Sequence, residues 1–232
     1  MSKVAIVTDS TAYLPDVLLK NFSITVVPQI LIWGDETFLD GVDIQPDEFY
    51  KKLKTAKIMP TTSQVSVVTM KATFEKLLEA GYDVLGIFIS AKLSGTMESA
   101  TLARNMLPKA ASKIVVIDSN STSMAMGFHV LSAARAALAG ANLLECQKLA
   151  EEAQKHTGVY FVVDTLEYLR RGGRIGGAQA MLHANAEAEA KSALAAAAAR
   201  LNPVEQIQAS VSPAIGSHAG PGTVGLAYMA GM

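Results

Sequence analysis

Short apolar runs rich in β-branched residues alternate along this chain with longer segments whose hydrophobic positions recur at helical spacing. The short runs predict strands over 3–8, 24–28, 83–89, 113–117 and 159–163. The longer ones predict helices over 14–20, 46–54, 66–80, 96–107, 123–139 and 143–156. Such a rhythm implies an α/β fold with a mainly parallel sheet. Residues 30–39 break it: they read as a hairpin turning at Gly34-Asp35, an antiparallel excursion from the wound sheet.

Near residue 158 the pattern changes. Beyond it come the basic, glycine-rich segment 170–177, an alanine-dense helix-like stretch to Arg200 and a strand-like run over 204–211. Two α/β domains are therefore expected, 1–158 and 159–232, with a cleft between them. The run 192–200 is a strong helix former and carries no chemistry of its own.

Composition narrows the function classes. Half of the 232 residues are hydrophobic and 18% are charged, so the chain can bury a core and is not disordered. Twenty basic against twenty-one acidic residues leave a net charge of −1, which argues against nucleic acid as a partner. The single Cys146 excludes an internal disulfide framework and reads as helix filler. Met1–Ala5 runs straight into a strand without an apolar leader, and no run reaches the ~18 apolar residues of a membrane span. A cytoplasmic protein without a transmembrane segment is expected. No His or Cys spacing suits a metal site, so neither metal nor cofactor is expected.

The candidate chemistry lies in three hydroxyl-rich turns. Ser94-Gly95-Thr96 follows a buried strand and opens a helix, which places O–H and N–H donors where a small anion can sit. Thr8-Asp9-Ser10-Thr11 and Thr61-Thr62-Ser63-Gln64 read as two further turns of this kind. Asp9 is a cap, a support for a ligand site or a phosphatase nucleophile, although Thr11 stands where a second carboxylate would be wanted. His129 and His156 fall within helices and read as packed or surface residues. His218 lies among glycines in a segment read as a tight turn, and it is the better candidate for a functional donor. A Ser94/His218 hydrolase dyad is conceivable, yet no G-x-S-x-G elbow surrounds Ser94. Residues 220–225 match G-x-G-x-x-G by letter only, since seven residues remain after Gly225. Arg170, Arg171 and Arg174 make a compact cationic turn that suits a helix end, an anion or an acidic partner. The ten methionines read first as core filler and second as a pliable lipid pocket.

Five segments taken in order resemble the DegV family, whose members include the FakB fatty-acid-binding subunits of bacterial fatty acid kinase. They are 7–11, 60–64, 93–96, 168–174 and 217–222. The resemblance implies two α/β domains holding one long-chain fatty acid, such as palmitate or stearate. It implies Thr62, Ser94 and His218 as carboxylate-binding residues, with Thr61, Ser63, Gly95 and Arg174 in support. It also implies a protein that is not itself an enzyme. Such a protein would hand its lipid to an ATP-binding kinase subunit, which forms the acyl phosphate used in phospholipid synthesis. The alternatives are a Ser94/His218 acyl hydrolase and a carrier of another anionic amphiphile. One departure from the family pattern stands out: a piece several dozen residues long is absent between Leu182 and His183.

Overall fold

A computed structural model describes residues 3–163, 165, 167–171, 207 and 210–230. Four strands, β1 (Lys3–Asp9), β2 (Thr25–Val27), β6 (Tyr82–Phe88) and β7 (Ile114–Asp118), form one parallel sheet in the order β2-β1-β6-β7. Six of the seven β1 residues are buried, as expected for a strand covered on both faces. One cover consists of α5 (Ser123–Leu138) and α6 (Leu143–His156), whose Met126, Val130, Leu131 and Cys146 share a core with Ile6, Leu85 and Ile87. The other consists of α3 (Val67–Glu79) and α4 (Thr96–Asn105), which bring Met70, Phe74 and Ala100 against Val7, Val84 and Phe88.

The hairpin expected at 30–39 is present as β3 (Ile30–Trp33) and β4 (Glu36–Leu39), and its turn at Gly34 has φ 64°. A third strand, β5 (Thr61–Ser63), pairs antiparallel with β3, so the threonines after Pro60 form a strand rather than the expected turn. Their β-branched side chains favour that extended backbone, and β3 offers a free edge to pair with. Trp33, Leu31 and Ile44 pack on Phe49 and Leu53 of α2 (Pro46–Thr55).

After β8 (Thr157–Val162) and the short α7 (Glu167–Arg171), the described chain resumes at α8 (Pro213–Ala219) and ends in β9 (Val224–Met229). β8 and β9 pair antiparallel in a sheet of their own, against which α5 packs. His218 therefore lies on a helix, not in a turn: Pro213 starts that helix at its first turn, and Gly220 at φ 86° ends it. α8 packs against α2, β3, β5 and the 3-10 turn Ser10–Ala12, which draws the end of the chain onto its beginning. Of the run expected over 204–211, residues 204–206, 208 and 209 lie outside the described residues, and 207, 210 and 211 are in no strand. Arg174, the alanine-dense stretch and the Leu182/His183 join lie outside the described residues. Among the described residues, no helix is long and apolar enough to cross a membrane.

Gly127 in α5 marks a close approach to the turn after β1. A Cβ there would stand 2.9 Å from the backbone oxygen of Ala12, so α5 can lie on the Ser10–Ala12 turn only because no side chain intervenes. Gly127→Val is expected to lower stability by about 1–3 kcal/mol through overpacking, a loss of several degrees in Tm measured by thermal denaturation.

Candidate functional site

Strand ends and helix starts meet above the parallel sheet, as they must where each strand feeds the next helix. β1 ends at Asp9, and β6 runs on through Ile89 into the loop that carries Ser94 and α4. The side chain of Asp9 is fully buried and joins these two ends. Its Oδ1 accepts from the Thr11 N–H at 3.0 Å and the Thr11 hydroxyl at 2.6 Å, while Oδ2 accepts from the Ile89 N–H at 2.9 Å. Burial pushes the Asp9 pKa up, and those donors hold it down. With both oxygens engaged, Asp9 acts as a cap and a tie rather than as an available nucleophile.

Above this tie lies a cavity of about 320 Å³. That is the lower end of the about 300–1,000 Å³ typical of small-molecule sites. Ile89, Leu93, Val163, Leu169 and Ile215 give it an apolar wall. Thr62, Ser63, Ser94, Gly95 and His218 also line it, so three expected carboxylate ligands and two supporting positions share one space. Thr62 Oγ1 and His218 Nε2 lie 2.7 Å apart in a hydrogen bond whose direction depends on the imidazole tautomer. Thr62 and Ser63, successive residues of β5, both border the cavity, and Thr61 at the start of the strand does not. Leu169 lies in the α7 segment, and the Tyr168 ring beside it rests so close to Gly220 that a Cβ there would stand 2.5 Å from the ring.

Ser94 is held from behind. Its hydroxyl lies 3.0 Å from that of Thr96, which receives the Gln29 Nε2 donor at 2.9 Å. The Gln29 N–H in turn donates to Ser10 Oγ at 3.1 Å, and Ser10 donates to Asp40 Oδ2 at 2.7 Å. Gln29 and Asp40 were not singled out in the sequence, whereas Thr96 was expected as part of the turn that carries Ser94. Gln29 and Asp40 are polar residues beside the apolar runs of β3 and β4, which is the only local sign of them. Thr122, at the N-cap of α5, also lines the cavity and is buried. Gly95 admits the Gln64 side chain, since a Cβ there would collide with the Gln64 amide.

Other expected features fall elsewhere. Arg170 and Arg171 both donate to Glu167 on the exposed α7, which is the helix-end reading of the basic turn. His156 pairs with Glu152, and His129 is buried against Thr157. Among the described residues no methionine lines the cavity; Met70 and Met126 are fully buried core filler instead. No group of three or more metal-ligating side chains occurs among the described residues. β9 begins within the glycine match at 220–225, where a dinucleotide site would need a helix.

Residues 3–182 match the family described as "Uncharacterised protein, DegV family". The chain belongs to the DegV family. A DegV domain-containing protein of Caldanaerobacter subterraneus subsp. tengcongensis is 41% identical over 182 residues, which cover 78% of this chain and 64% of the relative. One from Clostridium acetobutylicum is 32% identical, with 97% of each chain covered. That second alignment runs over 279 positions, more than the 232 residues of this DegV protein, so the relative holds residues that this chain lacks. Among solved structures, a fatty-acid-binding DegV family protein from Thermus thermophilus superposes with a TM-score of 0.87 at 28% identity, covering 98% of this chain and 100% of that one. DegV of Bacillus subtilis, described as a fatty acid binding protein, gives the same TM-score and identity, with 98% and 99% covered.

Two buried titratable groups of this DegV protein oppose each other in their effect on stability. Burial lifts Asp40 from 3.8 to about 6, against the hydrogen bond from Ser10. Between those values the folded state binds more protons than the unfolded one, so this contribution favours folding in acid and is lost as pH rises through about 6. Burial lowers His129 from 6.5 to about 4, so its contribution is lost as pH falls through that window. Asp40→Asn removes only the first, worth about 3 kcal/mol. Chemical denaturation from pH 7 to pH 4 is expected to show the variant losing about that much stability relative to wild type.

Proposed function

We propose that this DegV protein binds a long-chain fatty acid, with the carboxylate among Thr62, Ser94 and His218 and the hydrocarbon along the apolar wall. The observation that carries this reading is the convergence of those three side chains at one cavity lined by Ile89, Leu93, Leu169 and Ile215. Fatty acid binding by the Thermus and Bacillus relatives supports it. Ser63 and Gly95 support the donors, and Arg174 is assigned the same role from the family resemblance.

The physical case rests on matching a charge with neutral donors. A buried carboxylate is costly unless hydrogen bonds satisfy it, and hydroxyls with an imidazole do so without a fixed net charge on the protein. Burying fourteen or so methylenes contributes about 11 kcal/mol gross at ~0.8 kcal/mol each. Association and ordering then offset a large part of that sum. Donors at one end set which end of the lipid stays at the clamp. His218 Nε2 is engaged by Thr62, an arrangement that suits a clamp better than a base activating Ser94.

In this reading the protein is a cytoplasmic carrier, not an enzyme. It presents the bound carboxylate to a separate ATP-binding kinase subunit, whose acyl phosphate feeds phospholipid synthesis. Its two α/β domains divide near residue 158, at β8, which pairs with β9 and not with the parallel sheet.

Extraction of the purified protein followed by mass spectrometry tests the ligand directly. A long-chain fatty acid is expected, and an empty protein that turns over acyl esters would reverse the assignment. Ser94→Ala is expected to keep the fold and to raise the Kd for palmitate about 10- to 100-fold, corresponding to one lost charge-assisted bond. Isothermal titration with unchanged affinity in that variant would count against the clamp.

A further inference from the structure

Thr122 breaks the pattern of the cavity wall it belongs to. It stands between β7 and α5, lines the cavity together with Ile89, Leu93 and Ile215, and is 5% exposed. Its hydroxyl is buried and has no hydrogen-bond partner among the described residues. The other buried side-chain oxygens without a partner, on Thr8, Tyr13, Asp40 and Ser212, all belong to residues outside the cavity. A buried hydroxyl left unpaired costs about 1–3 kcal/mol. Valine would fill the same volume without that cost, so the threonine calls for a reason.

Helix capping is not that reason. Thr122 has the extended backbone of an N-cap, yet its side chain makes no bond to the first turn of α5. A threonine in that place ordinarily accepts from the second or third N–H of its helix. The first intrahelical bond runs from the Met126 N–H to Thr122 O at 3.4 Å, and Ser123, Met124 and Ala125 before it are all buried. The start of a 16-residue helix therefore lies buried without a cap from Thr122, and its dipole favours an oxygen there. The loop before it is held in place. Ser119 N–H donates to Phe88 O at 3.0 Å and Ser90 N–H to Ser121 O at 2.9 Å, which ties residues 119–121 to the continuation of β6. Asn120 and Ser123, on either side of Thr122, take φ 49° and 62°, a left-handed backbone that serine seldom adopts. Such strain persists only where the surroundings impose it.

We propose that Thr122 is a second polar anchor in the lipid cavity, which selects a fatty acid carrying an oxygen on its hydrocarbon chain (a hydroxy or oxo acid) over the plain acid. This rests on the fatty-acid reading given above. There the carboxylate has Thr62, Ser94 and His218, so Thr122 is left for a second oxygen. Its hydroxyl donates to a hydroxyl or carbonyl oxygen and accepts from a hydroxyl, whereas a methylene offers it nothing. One step of χ1 exchanges the hydroxyl of a threonine with its methyl, and no hydrogen bond of this hydroxyl opposes that step. A plain chain leaves the oxygen buried against hydrocarbon, and an oxygenated chain removes that cost. Sites that hydrogen-bond a ligand oxygen discriminate against the analogue lacking it, because their own polar group is then left unpaired.

The test measures the Kd of the full chain for palmitate and for a positional series of monohydroxypalmitates covering the hydrocarbon, by isothermal titration. Wild type is expected to bind one isomer or a few adjacent ones about 10-fold more tightly than palmitate, corresponding to one hydrogen bond. Thr122→Val keeps the shape and removes the hydroxyl. It should abolish that preference while palmitate binds as well as before or better, and Thr122→Ser should retain the preference. Thr122→Val breaks no side-chain hydrogen bond, so its melting temperature should equal or exceed that of wild type. Should it not fold, Thr122→Ala is read in the same way. Palmitate bound with no preference for any isomer overturns the anchor alone, as does a preference that Thr122→Val leaves intact. Equal weakening of palmitate and of every isomer in a folded Thr122→Val also overturns it, since Thr122 then serves the carboxylate or the cavity's shape. If wild type binds neither palmitate nor any isomer, the fatty-acid reading fails and the anchor with it.

Discussion

Burial of the Asp9 carboxylate at the end of β1 is the constraint on which the site depends. A charged group with no exposure is tolerated only when donors surround it, and the donors available are the Thr11 N–H and hydroxyl and the Ile89 N–H. Satisfying Asp9 therefore forces the chain after β1 to fold back on itself and pulls the end of β6 against it. Thr11 and Ile89 both line the cavity, so the floor of the site is set by the hydrogen-bonding needs of one acid. Without that tie, two strand ends of a parallel sheet would simply diverge into their loops.

Around this floor the protein assembles polar groups that are mostly uncharged. Thr62 comes from the edge strand of the small antiparallel sheet, Ser94 from the loop before α4, and His218 from a short helix near the end of the chain. The arginines of α7 spend their hydrogen bonds on Glu167 at the surface, where such pairs contribute little to stability. On the proposed reading, such a site would hold an anion by the number and direction of its hydrogen bonds rather than by a field. It then demands alignment, because a hydroxyl weakens steeply when misdirected, whereas a point charge tolerates error. A buried network through Gln29, Ser10 and Asp40 backs the Thr96 hydroxyl that meets Ser94.

Most of the scaffold was legible because its signals are local. Apolar runs of strand length, hydrophobic positions at helical spacing, and glycine at the hairpin turn each act over a few residues. The misreadings have different causes. Thr61–Ser63 is a strand because β3 offers an edge to pair with, and His218 is helical because Ser212-Pro213 and Gly220 bound a single turn or two. The first depends on what lies alongside, which no period along the chain reports; the second was signalled locally by Pro213 and Gly220. Gln29 and Asp40 escaped notice for the first of these reasons: a polar residue beside a strand resembles any loop residue until its partners are known.

The sequence by itself determined the α/β class, the alternation of strands and helices, the hairpin at 30–39, and the residue types able to satisfy a carboxylate. These follow from periodicity, propensity and side-chain chemistry. Only the tertiary structure decided that Thr62, Ser94 and His218, more than 150 residues apart at their extremes, share one cavity with an apolar wall. Only it decided that the buried Asp9 ties two strand ends beneath that cavity and that a buried chain of hydrogen bonds through Gln29 and Ser10 reaches Asp40. The physical reason is that a hydrogen bond acts over about 3 Å in space whatever the distance along the chain. Its partners are known only once the backbone has closed.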